Sequence, residues 1–137
     1  MRLTSLLYIS TSTMVAMNAD GEARAIAAQA VVKNSTRKVS GALLFTGKHF
    51  AQVLEGAEDQ IDLLMAKISA DSRHENVIVV DRSPTDIRRF GDWNMAYLGP
   101  SQFVQRHISQ LINAPTSSER LRTTAWLGDL LHEFSKR

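Results

Sequence analysis

The sequence has no cysteine among its 137 residues, which excludes disulfide bonds, thiolate nucleophiles and cysteine-ligated metal sites. It has only three prolines, and no stretch rich in glycine or proline that would indicate a linker. A chain of this length forms one domain and buries a core without metals or disulfides. The formal net charge of +2 is small, so we expect no nucleic-acid partner.

Long apolar runs are also missing. No segment approaches the roughly 18 apolar residues of a membrane span. Serine and threonine interrupt the first 19 residues, which argues against a signal peptide. We therefore expect a soluble, cytoplasmic protein with no membrane partner.

Common catalytic fingerprints are absent as well. The chain contains no G-x-S-x-G, no P-loop and no G-x-G-x-x-G, so the frequent hydrolase and nucleotide-binding motifs do not apply. Its four histidines include no pair at metal-ligand spacing, and we expect no metal site.

Hydrophobic periodicity predicts seven elements in the order β-α-β-β-α-β-β. The predicted elements are a strand at 3–10, a helix at about 20–33, a hairpin within 34–56, a helix at 58–70, a strand at 77–80 and a strand at 90–98, with a charged loop at 82–89. The first six elements match the ferredoxin-like βαββαβ plan of the α+β class, with one added strand. In that plan the first and third strands are central neighbours, and both helices cover one face.

The last 38 residues differ in pattern from the preceding ones. Two amphipathic helices are expected there, one on each side of Pro115, and Thr116 and Glu119 resemble a capping box. We therefore divide the chain into a sheet domain at 1–99 and a C-terminal helical extension at 100–137. The extension could either cover the open sheet face or bind a partner. We also expect the protein to form a homo-oligomer.

Two amides occupy positions where the pattern predicts apolar side chains. Asn34 continues the stripe of the first helix, which consists of Ala23, Ile26, Ala27, Ala30 and Val31. Gln52 shares a strand face with Phe50 and Leu54 because side chains alternate at period two. The plain alternatives are an asparagine in the left-handed conformation at a helix end and a glutamine bonded to backbone at a sheet edge.

The predicted topology turns Tyr8, Asn34, Gln52, Trp93 and Met95 toward the same helix-covered side. Trp93 and Met95 alone would be read as core residues. These five side chains suit a planar, hydrogen-bonding ligand better than a dry core. They supply a phenol, two amides, an indole and a thioether around one space.

Charged residues follow the second helix. For Asp71, Arg73 and His74 the simplest interpretation is a local ion pair that caps this helix. Lys67 lies on its flank, where the side chain either snorkels along the surface or meets an anionic ligand.

With these residues in place, the sequence resembles the BLUF domain, a family of blue-light sensors that bind flavin. The resemblance spans roughly residues 3–98, and its blocks keep the family's order and spacing. The blocks are LYIS at 7–10, Asn34, VSGALL at 39–44, FAQVLEG at 50–56, ISADSRH at 68–74 and RFGDWNM at 89–95.

The resemblance implies a flavin, usually FAD, held between the two helices. It implies that Tyr8 donates an electron and a proton to the photoexcited flavin, and that Gln52 then rotates or tautomerises. It also implies that the hydrogen bonds at the flavin N5 and O4 edge change and that Trp93 and Met95 relay the new state. Asn34 would hold the flavin's carbonyl edge.

On the ribityl and phosphate side, the resemblance implies cofactor contacts from Lys67, Asp71, Arg73 and His74. Lys67 stands where the family commonly has arginine, and these two cations bind anions differently. FMN and riboflavin therefore remain alternatives to FAD. Lys33 also departs from the family pattern.

We expect a short stand-alone photoreceptor, not an enzyme, that signals to a separate, unknown downstream protein or by changing its oligomeric state. Two other classes stay open from the residues alone. One is a small ferredoxin-like hydrolase of the acyl-phosphate type, and the other is a flavin-free interaction module.

Overall fold

A computed structural model describes residues 2–14, 19–91 and 96–98, together with Ala125 and Asp129. Within these residues the elements follow the predicted order. They are β1 (Leu3–Ser12), α1 (Ala19–Arg37), β2 (Ser40–Phe45), β3 (His49–Gly56), α2 (Glu58–Ala70), β4 (His74–Thr85) and β5 (Ala96–Leu98). None of the helices in the described ranges is long and apolar enough to cross a bilayer.

The strands form one sheet in the order β4-β1-β3-β2-β5. Strand β1 runs antiparallel to both β3 and β4, β2 runs antiparallel to β3, and β5 runs parallel to β2. The predicted ferredoxin-like arrangement, with the first and third strands as neighbours inside the sheet, is confirmed.

Both helices pack on the same face of the sheet. Ala23 and Ala27 of α1 and Ile61 of α2 belong to one buried cluster with side chains of β1, β2 and β3. The strand members of that cluster are Leu6, Tyr8, Leu43, Phe45, Phe50 and Leu54. The alternation of these positions along each strand fixes which side faces the helices.

The opposite sheet face is also buried within a single chain. Leu7, Ile9, Leu44 and Val53 are all buried there. These side chains are shielded from solvent without a second copy of the chain. The sheet face therefore gives no support to the expected homo-oligomer, which stays a prediction.

The hairpin between β2 and β3 forms as predicted around Thr46, Gly47 and Lys48. Gly47 adopts φ of +99°, a left-handed value that suits a residue without a Cβ. The hydroxyl of Thr46 accepts a hydrogen bond from the backbone N–H of His49 at 3.0 Å and stabilises the turn.

Helix α1 is one turn longer than predicted, so Asn34 does not end it. Lys38 holds the left-handed position with φ of 57°. The N–H of Val39 donates to the carbonyl of Asn34 at 2.9 Å, as in a Schellman C-cap. The placement of Val31 in the buried stripe was also wrong, because Val31 is 40% exposed, whereas Asn34 is buried as expected.

Strand β4 is longer than the predicted 77–80 and includes part of the predicted loop. It pairs with β1 up to Leu3 opposite Thr85. It lies at the sheet edge, where Pro84 removes no hydrogen bond that the sheet needs.

The final strand starts later than predicted. Phe90 lies in a turn and is buried, residues 92–95 lie outside the described ranges, and β5 is Ala96–Leu98. The C-terminal helices expected at 100–137 lie outside the described residues, apart from Ala125 and Asp129, which are both helical positions.

Candidate functional site

A cleft lies between α1 and α2, and its floor is the central sheet. It encloses about 730 Å³ of non-protein space including its open mouth. Its lining residues come from both helices, from β1, β2 and β3, and from the start of β4. They are Tyr8, Ile26, Gln29, Ala30, Lys33, Asn34, Arg37, Leu43, Gln52, Leu54, Leu64, Lys67, Ile68, Asp71, Arg73 and His74.

Tyr8 and Gln52 form the polar part of the floor. They are direct cross-strand partners in the β1–β3 pair, which brings their side chains together on one face. The phenol of Tyr8 donates a hydrogen bond to Gln52 Oε1 at 2.5 Å. Burial, and secondarily the Asp71 carboxylate, raises the pKa of Tyr8, so the phenol stays protonated and remains a donor.

Asn34 adds a second amide to the same cleft. It is 2% exposed and lies in the last turn of α1. Apolar side chains of both helices complete the walls, with Ile26 from α1 and Leu64 and Ile68 from α2. A narrow apolar slot with amides at its inner end can accept a flat ring system that has a hydrogen-bonding edge.

Cations dominate the polar lining nearer the helix ends. Lys33, Arg37, Lys67 and Arg73 line the cleft, against the single carboxylate of Asp71. Sequence reasoning overlooked Arg37 and treated Lys33 only as a departure from the family pattern. Arg37 follows Asn34 by three residues and Lys33 by four on α1, so its side chain lies next to both, and this spacing was the available signal.

Asp71 and Arg73 form the predicted local ion pair beyond α2. The guanidinium of Arg73 contacts both carboxylate oxygens, with its closest nitrogen at 2.6 Å. The side-chain hydrogen bonds of Arg73 lower the pKa of Asp71 to about 2. The backbone N–H of Asp71 also donates to the Ile68 carbonyl and closes the helix.

His74 closes one end of the floor. Its Nδ1 lies 2.7 Å from Ser10 Oγ, and its ring meets the Tyr8 ring edge-on with centroids 6.0 Å apart. Burial, reinforced by Arg73 and opposed by Asp71, lowers the pKa of His74. Sequence reasoning overlooked Ser10, although Ser10 follows Tyr8 by two residues and so shares its sheet face.

A second buried polar cluster lies at the other end of β3 and was also missed. Glu55 is 1% exposed. Its carboxylate accepts hydrogen bonds from Ser40 Oγ at 2.9 Å and from the backbone N–H groups of Arg89 at 2.8 Å and Phe90 at 3.0 Å. Glu55 therefore ties the turn before β5 to the strand that carries Gln52.

Arg88 reinforces this connection. Its guanidinium donates to Ser40 Oγ, to the main-chain carbonyl of Glu55 and to the carbonyl of Lys38. The next residue, Arg89, pairs with Asp129 at 3.0 Å. The turn at 88–91 is thus joined both to the hairpin and to the C-terminal part of the chain.

The structure brings together seven of the nine residues singled out from the sequence: Tyr8, Asn34, Gln52, Lys67, Asp71, Arg73 and His74. Trp93 and Met95 lie outside the described residues. Within the described part of the chain, no cluster of histidine and carboxylate side chains could hold a metal ion.

Comparison with known proteins identifies one family. Its model, described as "BLUF: Sensors of blue-light using FAD", matches residues 3–96. Subunit alpha of the photoactivated adenylate cyclase of Euglena gracilis is 42% identical over 95 residues, which is 69% of this chain and 9% of that protein. The chain therefore spans about a tenth of the length of the curated relatives that it matches.

Solved structures agree with this family. The dark-state structure of the BLUF protein BlrB has a TM-score of 0.70 and 30% identity, and the alignment covers 90% of this chain and 96% of BlrB. The structure of Klebsiella pneumoniae BlrP1 with FMN and cyclic diGMP has a TM-score of 0.63 and 34% identity. That alignment covers 71% of this chain and 26% of BlrP1.

Proposed function

The chain belongs to the BLUF family of blue-light sensors that use FAD, and from this premise we propose that Tyr8 and Gln52 form its light-driven switch. The observation that carries the proposal is the hydrogen bond from Tyr8 to Gln52 Oε1 on the floor of the cleft. It joins a group that can lose an electron and a proton to an amide whose two ends differ mainly in direction.

The residues of the cleft fit a flavin. Leu64 and Ile68 of α2 and Ile26 of α1 provide apolar walls for the ring system. Asn34 and Gln52 bring amide groups to the buried end, where the polar edge of a flavin requires partners. When bound, the flavin supplies an electron acceptor that becomes strongly oxidising after it absorbs blue light.

Tyr8 loses one electron and one proton in the proposed forward step. The electron would pass to the excited flavin, and the proton would leave Tyr8 Oη along its hydrogen bond to Gln52 Oε1 and pass through that amide to the flavin. Gln52 then rotates or tautomerises, so its donor and acceptor ends exchange directions. The electron and the proton later return to Tyr8, and the amide is left in its rearranged state.

A small free-energy gap makes this amide suitable as a switch. Inverting it replaces one set of hydrogen bonds by another, so the two states differ by only a few kcal/mol. The neighbouring strand positions Leu54 and Phe50 are buried and packed, so the backbone around Gln52 stays in place while the amide moves. The change is therefore confined to side-chain hydrogen bonds.

The positively charged side chains that line the cleft support a flavin that carries phosphate. Lys33, Arg37, Lys67 and Arg73 line the cleft, and this excess of positive charge favours an anionic tail. We propose FAD as the cofactor, with FMN as the alternative, since the similar BlrP1 structure is described with FMN. Riboflavin, which has no phosphate, would offer no anionic group to Lys33, Arg37 and Lys67.

The output we propose is a signal to a downstream protein. The similar Euglena proteins are named as cyclase subunits, so members of this family serve as sensory modules coupled to an effector. For this chain we propose a sensory role without catalysis, with Trp93 and Met95 as the relay and with homo-oligomerisation as part of the response.

The switch is tested with Tyr8→Phe and Gln52→Ala, compared by absorption spectra before and after blue light. Both variants should bind flavin, and both should lose the light-induced red shift. Gln60→Ala is the matched control, because Gln60 lies on α2 and does not line the cleft. An undiminished shift in either floor variant would rule out the proposed mechanism.

The purified wild-type protein also distinguishes the photoreceptor from the two alternative functions. A protein that cannot be loaded with flavin would be a flavin-free module. Hydrolysis of an acyl phosphate by the purified protein would support the small ferredoxin-like hydrolase instead.

A further inference from the structure

Ser10 and His74 form a part-buried pair beside Tyr8 that the proposed switch does not use. Ser10 is fully buried on β1, and its hydroxyl lies 2.7 Å from Nδ1 of His74 at the start of β4. The ring of His74 also packs against Phe50 with centroids 4.5 Å apart. The imidazole is therefore held on two sides, with an edge-on contact to Tyr8.

The charges around this imidazole come from several elements. Its own turn contributes the Asp71 carboxylate and the Arg73 guanidinium, which are paired with each other. Strand β1 contributes the neutral phenol of Tyr8, and β3 contributes only the apolar Phe50. Two more charges face the same region, Lys67 of α2 on the cleft wall and Glu22 of α1 near Arg73.

Because Asp71 and Arg73 largely offset each other, a proton on His74 would change the charge nearest to Tyr8. When Tyr8 gives up its electron, positive charge develops on its ring until the phenolic proton leaves. Repulsion between that charge and a cation about 6 Å away in a partly buried site would slow electron transfer from Tyr8 on the order of tenfold or more. A neutral imidazole exerts no such repulsion.

We propose that Ser10 holds His74 against Tyr8 as a positioning pair, and that protonation of His74 slows electron loss from Tyr8. The inference rests on the proposed function, since it concerns the donor of that reaction. Burial keeps the pKa of His74 below its usual value, so the switch runs at full rate near neutral pH and is slowed by acid.

The first test needs no light. The ring carbons of His74, assigned with His74→Gln, are titrated by NMR in the wild type, in Ser10→Ala and in Ser10→Thr. Ser10→Ala should move the titration midpoint to lower pH, because a hydroxyl oxygen accepts a charge-assisted bond from the imidazolium. Ser10→Thr should restore the midpoint, and an unchanged midpoint in Ser10→Ala would overturn the pairing.

The second test measures the excited-state lifetime of the flavin in the loaded protein from about pH 4.5 to pH 8. Electron transfer from Tyr8 shortens this lifetime. We expect the lifetime to lengthen below the His74 midpoint in the wild type, and to lengthen in the same way in His49→Gln. His49 is a matched histidine that pairs with Thr11 on the same sheet; by strand alternation its side chain lies on the face opposite to that of Phe50, and it does not line the cleft.

Two outcomes separate the inference from the proposed function. A lifetime that does not change while His74 titrates in the NMR experiment would overturn the role of His74 and leave the switch intact. A lifetime in Tyr8→Phe equal to that of the wild type would show that Tyr8 is not the donor, and the proposed function would fail with it.

Discussion

Replacing Glu55 with alanine should destabilise the fold far more than its position at the end of a strand suggests. The carboxylate of Glu55 accepts hydrogen bonds from the Ser40 hydroxyl and from the N–H groups of Arg89 and Phe90. Alanine removes all three acceptor contacts.

The size of the destabilisation depends on which hydrogen-bond donors lose their acceptor. Phe90 is buried, so its N–H becomes an unsatisfied buried donor at a cost of about 1–3 kcal/mol. The bonds to Ser40 and to the Arg89 backbone are worth about 1 kcal/mol each. The sum, about 3–5 kcal/mol, lowers the melting temperature of a chain of this size by about 10–20 °C.

Urea denaturation followed by circular dichroism measures this loss. The matched control is Glu58→Ala, which removes the same group from a side chain that is 75% exposed and whose ion pair with Arg82 is 3.5 Å long. The control should lose less than about 1 kcal/mol. Glu55→Gln keeps one acceptor and should fall between the two. Equal losses in Glu55→Ala and Glu58→Ala would refute the role of the buried cluster.

Three further predictions test other parts of the account. Asp71→Asn should lower the free energy of unfolding by about 1 kcal/mol at neutral pH. Since the pKa of Asp71 in the folded protein is about 2, the difference between variant and wild type in urea titrations should be complete above about pH 4 and should vanish toward pH 2. Trp93→Ala and Met95→Ala should keep the red shift and weaken the light-dependent binding of a partner, and normal partner switching in both would disprove the relay. Gly41→Ala should prevent stable folding, because a Cβ there would overlap a backbone carbonyl of β3. At Gly21 of α1 a Cβ would contact no other atom, so Gly21→Ala should raise the free energy of unfolding by about 0.5–1 kcal/mol, as measured by thermal melting.

Sequence periodicity was enough to place the residues of the proposed switch. Side chains alternate in a strand, so Gln52 had to share a face with Phe50 and Leu54, and the topology then paired that face with Tyr8. Helical spacing likewise turned Asn34 toward the core. The structure confirms all three positions.

The features that sequence reasoning missed depend on contacts between distant segments. The partners of Glu55 lie 15 to 35 residues away and are mostly backbone N–H groups, which have no sequence signature. Ser10 meets His74 across 64 residues, through a register that includes two irregularities. The extent of β4 was misjudged for a similar reason, since an edge strand tolerates proline and charge that would end a central one.

We propose that this chain binds flavin and that light rearranges the hydrogen bonds around Gln52. Absorption spectra of the flavin-loaded wild-type protein before illumination, after blue light and again after recovery in the dark test both proposals together. We expect a red shift of the flavin bands that reverses fully in the dark. A spectrum that blue light leaves unchanged, or bleaches irreversibly, would contradict this expectation.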